Sequence, residues 1–276
     1  MRLKLIFLFP LLIFFNDGHL HAKTSEDVIT QTIQNRLQQD QIPSITVIAG
    51  NSEKALYRAA FSKAGTSYIP TQLNTLYDIA SITKIFTAMA IQKLVEESKL
   101  KLEDKLTQYL DSQSTDLQKR KITIEDLLRH QSGFAPVLPP SVYSENLDET
   151  WQNIIAFNPN RRYGDFTYSD VNYILLGLII EKVSKQSLES FLNDHFIVPL
   201  SLKNTGFNAH RGLLQSPIIA PTQRDPGRLG HVHDPSSFAL AGMTGHAGKA
   251  LPREFPLVIL ALPEHPFGLI PKKISI

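Results

Sequence analysis

The pattern Ser-x-x-Lys occurs twice in this sequence, as Ser81 to Lys84 and as Ser98 to Lys101. A serine hydroxyl is a poor nucleophile, and a partly desolvated lysine of lowered pKa can activate it as a base. Residues three apart share one face of a helix, and the N-terminal end of a helix favours negative charge. A backbone N–H at that end can also donate to an oxyanion. The pattern therefore predicts acyl transfer through a seryl ester where a helix begins at the serine.

The context of each serine distinguishes the two copies. Ser81 follows the extended apolar segment TLYDIA and opens an amphipathic helix that we predict over SITKIFTAMAIQKLVEESKL. Ser98 lies at a charged helix end, and we interpret it as an exposed polar residue. On the local pattern alone, Ser81 has an alternative interpretation as an ordinary N-cap, with Lys84 solvated in the first helical turn.

The histidines are weaker candidates for chemistry. His231 and His233 form an H-x-H pair that could bind a metal together with His246. There is no H-E-x-x-H pattern, and loop histidines without a carboxylate partner are usually not ligands, so we predict no metal site. His130 lies at a helix end and is predicted to cap carbonyl groups. The sequence has no G-x-S-x-G, phosphate-binding glycine loop or Rossmann fingerprint, so we expect no cofactor and no nucleotide chemistry.

A tyrosine, Tyr168, lies just before a second apolar helix in FTYSDVNYILLGLIIEKVS, with Asp170 two residues further on. This block is one of five that occur in a fixed order, the others being YDIASITK, ITIEDLLRHQSG, PLSLKNTGF and HDPSSFALAGMTGHAG. Over roughly residues 42–248 the chain resembles the serine β-lactamase-related family, which contains class C β-lactamases, DD-peptidases and esterases. Several ordered blocks are more specific than one Ser-x-x-Lys pattern.

The resemblance implies that Ser81 is the acyl-accepting nucleophile and Lys84 its proton-handling partner. Tyr168 would be the general acid or base that relays a proton to the leaving group, with ordinary packing as its alternative. Asp170, a substrate-binding candidate, stands where many members have asparagine. Its charge would stabilise Lys84 as the ammonium and make Lys84 a worse base. Because esterase-like relatives often show this YSD form, a small ester is the first expected substrate, before a β-lactam or a peptidoglycan peptide.

The family's third motif, K-T-G or H-x-G on a strand lining the site, is harder to locate. His246 to Gly248 fits the letters, which makes His246 a substrate-binding candidate. In the relatives, however, this block precedes another helix, and the site-lining motif comes later. We therefore expect the C-terminal strands to be missing, with residues 249–276 an atypical proline-rich tail. A truncated, catalytically inactive member is the rival function, and a metal-dependent hydrolase using His231 and His233 is a second rival.

The predicted fold is α+β and β-lactamase/DD-peptidase-like, with an antiparallel sheet flanked by helices and a helical lobe that carries Tyr168. The site would lie in the cleft between sheet and lobe. The predicted elements of the fold include a helix in KTSEDVITQTIQNRLQQ, a hairpin of SITVIAG and KALYRAAFS, and a helix in ITIEDLLRHQSG that ends at Gly133. Residues 134–168 are predicted to be loop with short helices, and two further helices are separated near Lys185 and Gln186.

Composition and the first residues indicate which partners and which compartment to expect. The 28 Lys and Arg against 26 Asp and Glu give a formal charge of +2, which does not favour nucleic acid as a partner. Residues 1–22 have the pattern of a secretory signal peptide, so we expect a periplasmic or secreted domain over 23–248 that acts on a small molecule or cell-wall peptide. Membrane association is expected only if that segment is retained, because its apolar run is short.

Overall fold

The computed structural model describes residues 25–39, 44–51, 53–62, 71–202, 205–207, 232–242 and 244–251. The predicted signal peptide and His231 lie outside these ranges. Among the helices within them, none is both long and apolar enough to cross a membrane.

The first helix and the hairpin are confirmed. Helix α1 (Ser25–Gln39) is followed by strands β1 (Ser44–Gly50) and β2 (Ala55–Ser62), which pair antiparallel. The side-chain oxygen of Asn51 accepts from the N–H groups of Glu53 and Lys54 at 3.0 and 2.9 Å, which closes the turn. The hydroxyl groups of Thr30 and Tyr57 lie 2.8 Å apart and join α1 to β2.

A second antiparallel sheet has three very short strands, β3 (Tyr77–Asp78), β4 (Gly206–Phe207) and β5 (Lys249–Leu251). Strand β5 lies in the middle, because it pairs with β3 on one side and β4 on the other. The first three residues of the segment predicted to be a tail thus form a strand, and two of them, Ala250 and Leu251, pair with the chain just before Ser81. Residues 252–276 lie outside the described residues.

The remaining helices form the lobe and confirm the α+β class. They are α2 (Thr83–Glu96), α3 (Leu106–Tyr109), α4 (Ile124–Leu128), α5 (Leu147–Ala156), α6 (Asp170–Ser184), α7 (Leu188–Leu192) and α8 (Pro235–Ala239). Short 3-10 turns lie at Ala80–Ile82, Lys119–Lys121 and Pro140–Val142, and a π turn follows α7 at Asn193–Ile197. Residues 134–168 contain one such turn and α5, as predicted.

Local signals explain the bounds of helices α4 and α6. Helix α4 begins with a capping box between Thr123 and Asp126. It ends at Leu128, five residues before the predicted end at Gly133, and His130 then adopts a left-handed φ of 57°. Helix α6 ends where Lys185 adopts a left-handed φ of 61°, which confirms the break predicted near Lys185 and Gln186.

The hydrophobic core lies in the lobe, where α6 packs against α2, α4 and α7. Helix α6 is buried on nearly all sides from Val171 to Ile180. From α2, the buried apolar residues are Phe86, Ala90, Ile91 and Leu94. Each large apolar side chain buried here contributes about 1.5–3 kcal/mol relative to an exposed one. Helices α2 and α6 are therefore at the centre of the core, and their first turns contain Lys84 and Asp170.

Candidate active site

Ser81 lies in the 3-10 turn that runs directly into α2, and its side chain is exposed. The α-helix itself begins at Thr83, two residues after the predicted start, and its N-cap is Ile82. The N-cap interpretation of Ser81 is therefore wrong. Ser98 is exposed after the end of α2, as predicted.

The residue before Ser81 has an unusual backbone. Ala80 has a φ of 44°, in the left-handed region, which costs a non-glycine residue about 1–3 kcal/mol. Asp78 holds this turn, because its Oδ1 accepts from the N–H of Ala80 at 2.8 Å. Its Oδ2 accepts from the N–H of His233 at 2.6 Å. One carboxylate thus joins the turn that carries Ser81 to the segment that leads into α8.

Lys84 is buried, with 7% of its surface exposed, so its interpretation as a solvated first-turn residue is wrong. Its Nζ donates to three oxygens: Ser81 Oγ at 3.1 Å, Asp170 Oδ1 at 2.8 Å and the carbonyl of His246 at 3.2 Å. An ammonium group has three N–H donors and no acceptor. Each of the three N–H donors of the Lys84 ammonium thus has one oxygen acceptor.

Asp170 is the first residue of α6, and its own N–H donates to the carbonyl of Pro136 at 2.8 Å. Its carboxylate forms the ion pair with Lys84, in which the two side chains are 17% and 8% exposed. A pair this well buried is costly to desolvate, and removing one partner leaves the other charge uncompensated. The contact by which Asp170 would hold Lys84 as the ammonium is therefore present in the structure.

Tyr168 is 46% exposed, which does not fit the alternative of ordinary core packing. Lys84 Nζ lies 4.9 Å from the centroid of its ring, within the range of a cation–π contact. The structure thus brings Ser81, Lys84, Tyr168 and Asp170 together, from two helix starts 86 residues apart.

His246 is buried beside this group, with a ring nitrogen within 4.8 Å of a carboxylate oxygen of Asp170. Its imidazole is 1% exposed, and its Nε2 lies 2.9 Å from Asp234 Oδ1. Burial raises the pKa of Asp234, but the hydrogen bond from His246 and the charges of His246 and Lys84 outweigh it and hold the pKa below its usual value. The ring is thus buried and pairs with Asp234, while the carbonyl of His246 accepts from Lys84. Sequence reasoning missed Asp234, although its position before Pro235 is typical of an N-cap and it caps α8.

The segment 244–248 supports Lys84 through successive carbonyl groups. Thr87 Oγ1 donates to the carbonyl of Gly245 at 2.7 Å, and Lys84 donates to that of His246. The next carbonyl, of Ala247, accepts from Ser237 at 3.0 Å and Thr244 at 2.7 Å. Because buried carbonyl groups need partners, these bonds fix the segment against α2 and α8.

Replacing Gly245 with alanine is expected to lower the free energy of unfolding by about 1–3 kcal/mol, the usual cost of overpacking. A Cβ at this position would lie 2.1 Å from the carbonyl oxygen of Tyr173, a backbone atom of α6. Gly206→Ala is the matched control, since a Cβ there would meet nothing within 4 Å. Urea unfolding of both variants tests this. Equal midpoints for the two would show that the close contact with α6 does not constrain the segment.

Among the described residues, three potential metal ligands lie within 4.8 Å of one another: Asp170, Asp234 and His246. His233, which the sequence suggested, does not belong to this group. The positive charge beside Asp170 in this structure is the Lys84 ammonium, whose Nζ lies 2.8 Å from Asp170 Oδ1.

His130 does not cap carbonyl groups through its side chain, contrary to the prediction. Its Nδ1 lies 3.1 Å from the N–H of Ser169 and accepts from it, next to Tyr168. The sequence carried no signal for this contact, because it depends on the left-handed backbone at His130 that turns the chain back.

Comparison with known proteins finds one matching family model and several relatives. A family model described as Beta-lactamase matches residues 29–265. A "Putative D-alanyl-D-alanine carboxypeptidase" of Escherichia coli (strain K12) is 31% identical over 248 residues, which cover 75% of this chain and 56% of that protein. An "N-acetylmuramyl-L-alanine amidase" of Bacillus subtilis (strain 168) is 33% identical over 208 residues, covering 63% and 46%. The chain thus spans about half the length of the curated relatives it matches.

Two solved structures resemble the fold. The octameric penicillin-binding protein homologue from Pyrococcus abyssi has a TM-score of 0.65 and 25% identity, over 83% of this chain and 54% of that one. The class C beta lactamase from Rhodobacter sphaeroides has a TM-score of 0.65 and 20% identity, over 81% and 61%.

Proposed function

Because the chain belongs to the beta-lactamase family of serine hydrolases, we propose that it is an active hydrolase that transfers an acyl group from its substrate to Ser81. The observation that carries the proposal is the placement of an exposed Ser81 hydroxyl 3.1 Å from a buried lysine. Lys84 is in turn fixed by Asp170 and by the carbonyl of His246. A surface serine in a solvated turn would need none of these supports.

In the proposed reaction, Ser81 Oγ bonds to the carbonyl carbon of the substrate, and its proton passes to Tyr168 in the phenolate form. The bond to the leaving group then breaks, and the leaving group departs with that proton. Water hydrolyses the seryl ester by the same steps in reverse order. Lys84 orients Ser81 Oγ as a hydrogen-bond donor, and its charge faces the ring on which the phenolate would form.

For the substrate, we propose a cell-wall peptide amide first. The support is that two relatives bear the names of a D-alanyl-D-alanine carboxypeptidase and a muramyl amidase. A small ester is a second candidate, and the contact between Asp170 and Lys84 favours it. Lys84 held as the ammonium is a poor base, and an ester, which is more reactive toward a nucleophile than an amide, depends less on base activation of Ser81. From the signal peptide predicted at residues 1–22 we propose that either activity is periplasmic or secreted.

The test is intact-mass spectrometry of the purified chain after exposure to a fluorophosphonate, followed by peptide mapping of the modified residue. We expect one adduct, on Ser81. A D-alanyl-D-alanine peptide, a penicillin and 4-nitrophenyl acetate then separate peptidase, β-lactamase and esterase activity by rate. No adduct on a sample shown to be folded by circular dichroism would contradict the proposal and favour an inactive member of the family.

A further inference from the structure

His130 contacts the chain on both sides of Tyr168. Its backbone carbonyl accepts from the N–H of Thr167 at 2.8 Å, and its Nδ1 accepts from the N–H of Ser169 at 3.1 Å. The ring of His130 lies against that of Tyr168, with centroids 4.6 Å apart and planes tilted by 35°. Tyr168 is itself 46% exposed, and its ring also lies 4.9 Å from Lys84 Nζ. The residue before it, the residue after it and its own ring are therefore all held by one histidine.

The hydrogen bonds around His130 define its protonation. Ser132 Oγ donates to Asn172 Oδ1 at 2.6 Å, so the Asn172 amide turns its NH₂ group toward His130 Nδ1, at 3.2 Å. Nδ1 thus faces two donors, this amide and the N–H of Ser169. A nitrogen that accepts must carry a lone pair, so His130 is neutral with its proton on Nε2. A proton on Nδ1 would point at two N–H donors.

We propose that His130 is a positioning residue for Tyr168, and that protonation of His130 releases Tyr168 and inactivates the site in acid. The inference rests on the proposed function, because Tyr168 acts only in acyl transfer. The imidazolium cannot accept from Ser169, so the chain after Tyr168 loses the anchor nearest the ring and keeps only the bonds of Ser169 Oγ to Ala135 and of the Asp170 N–H to Pro136. A misplacement of about 1 Å in a catalytic group can lower a rate by about 100-fold.

The charged and titratable groups that face His130 are Lys84 from α2, Asp170 and Tyr173 from α6, and Tyr168 from the preceding loop. Burial lowers the pKa of His130, and the charge of Lys84 lowers it further, against the opposing charge of Asp170. The unfolded chain therefore takes up this proton first as the pH falls through about 6.5, the ordinary value for histidine. Stability is thus retained above that pH and falls below it.

The test uses two variants that the left-handed backbone at position 130 accepts, His130→Asn and His130→Gly. Asparagine keeps an acceptor at about the position of Nδ1 but does not titrate, and glycine keeps neither. We expect the rate of fluorophosphonate labelling of the wild type to fall at least about tenfold between pH 7.5 and pH 4.5. In His130→Asn the fall should be smaller than in the wild type, because only the protonation of Tyr168 itself then remains. In His130→Gly labelling should be about 100-fold slower than wild type at pH 7.5, and the difference should narrow at pH 4.5, where the wild type has itself lost the contact.

A measurement without catalysis separates this inference from the proposed function. In NMR spectra of the free wild-type protein, the ring signals of Tyr168 should shift with the titration of His130, and in His130→Asn they should not. If the wild type is not labelled but these signals follow His130, the proposed function fails and the positioning contact stands. If the acid fall in rate is the same in His130→Asn, or the Tyr168 signals do not follow His130, the inference is overturned.

Discussion

The variant Ser81→Ala should lose acyl transfer almost completely and keep its fold. Removing the nucleophile of a serine hydrolase costs roughly 10⁴- to 10⁶-fold in turnover, since the remaining groups cannot form the covalent intermediate. Ser81 is exposed, so the free energy of unfolding should change by less than about 0.5 kcal/mol. The measurements are the fluorophosphonate adduct by intact mass, turnover of the best substrate, and urea unfolding.

Ser98→Ala is the matched control, since this serine begins the other Ser-x-x-Lys pattern and is also exposed. It should label and turn over at the wild-type rate. Labelling that persists in Ser81→Ala and disappears in Ser98→Ala would show that Ser98, and not Ser81, is the nucleophile.

Replacing Lys84 with methionine should lower both the rate and the stability. Methionine keeps the length of the apolar stem but removes the donor to Ser81 Oγ, and loss of such proton-handling help costs about 10²- to 10⁴-fold in rate. The carboxylate of Asp170 would remain mostly buried without its partner, at a cost of about 3 kcal/mol. Labelling rates and urea unfolding measure the two effects separately.

The double variant Lys84→Met with Asp170→Asn separates chemistry from folding. Because it removes both charges, it should recover most of the lost stability and none of the lost rate. A double variant that labels as fast as the wild type would show that Lys84 serves only to neutralise Asp170, and another group would have to orient Ser81.

The parts of the fold that were predictable are those in which short-range chemistry decides the structure. Helices α2 and α6 are long enough for their apolar residues to mark them, and the turn at Asn51 between β1 and β2 contains residues typical of turns. The contact between Ser81 and Lys84 was predictable for the same reason, because residues three apart in a helical turn must lie close together.

The rest depends on contacts between distant parts of the chain. Strands β3, β4 and β5 have two or three residues, too few to show an alternating pattern, and only their mutual pairing defines them. Two of the three acceptors around Lys84 come from 86 and 162 residues away. The pairing of His246 with Asp234 likewise depends on how α8 begins. A sequence pattern shows which groups could pair but not which carbonyl groups a fold turns inward.

The two hydrogen bonds of Asp78 have a consequence for how the molecule opens. They attach the turn that bears Ser81 to the segment that bears Asp234, and that segment leads through α8 to the carbonyl beneath Lys84. Local unfolding in proteins occurs in cooperative units whose members lose protection together. We expect the turn of Ser81 and the segment that supports Lys84 to belong to one such unit, so that opening at either end releases the nucleophile and its lysine together.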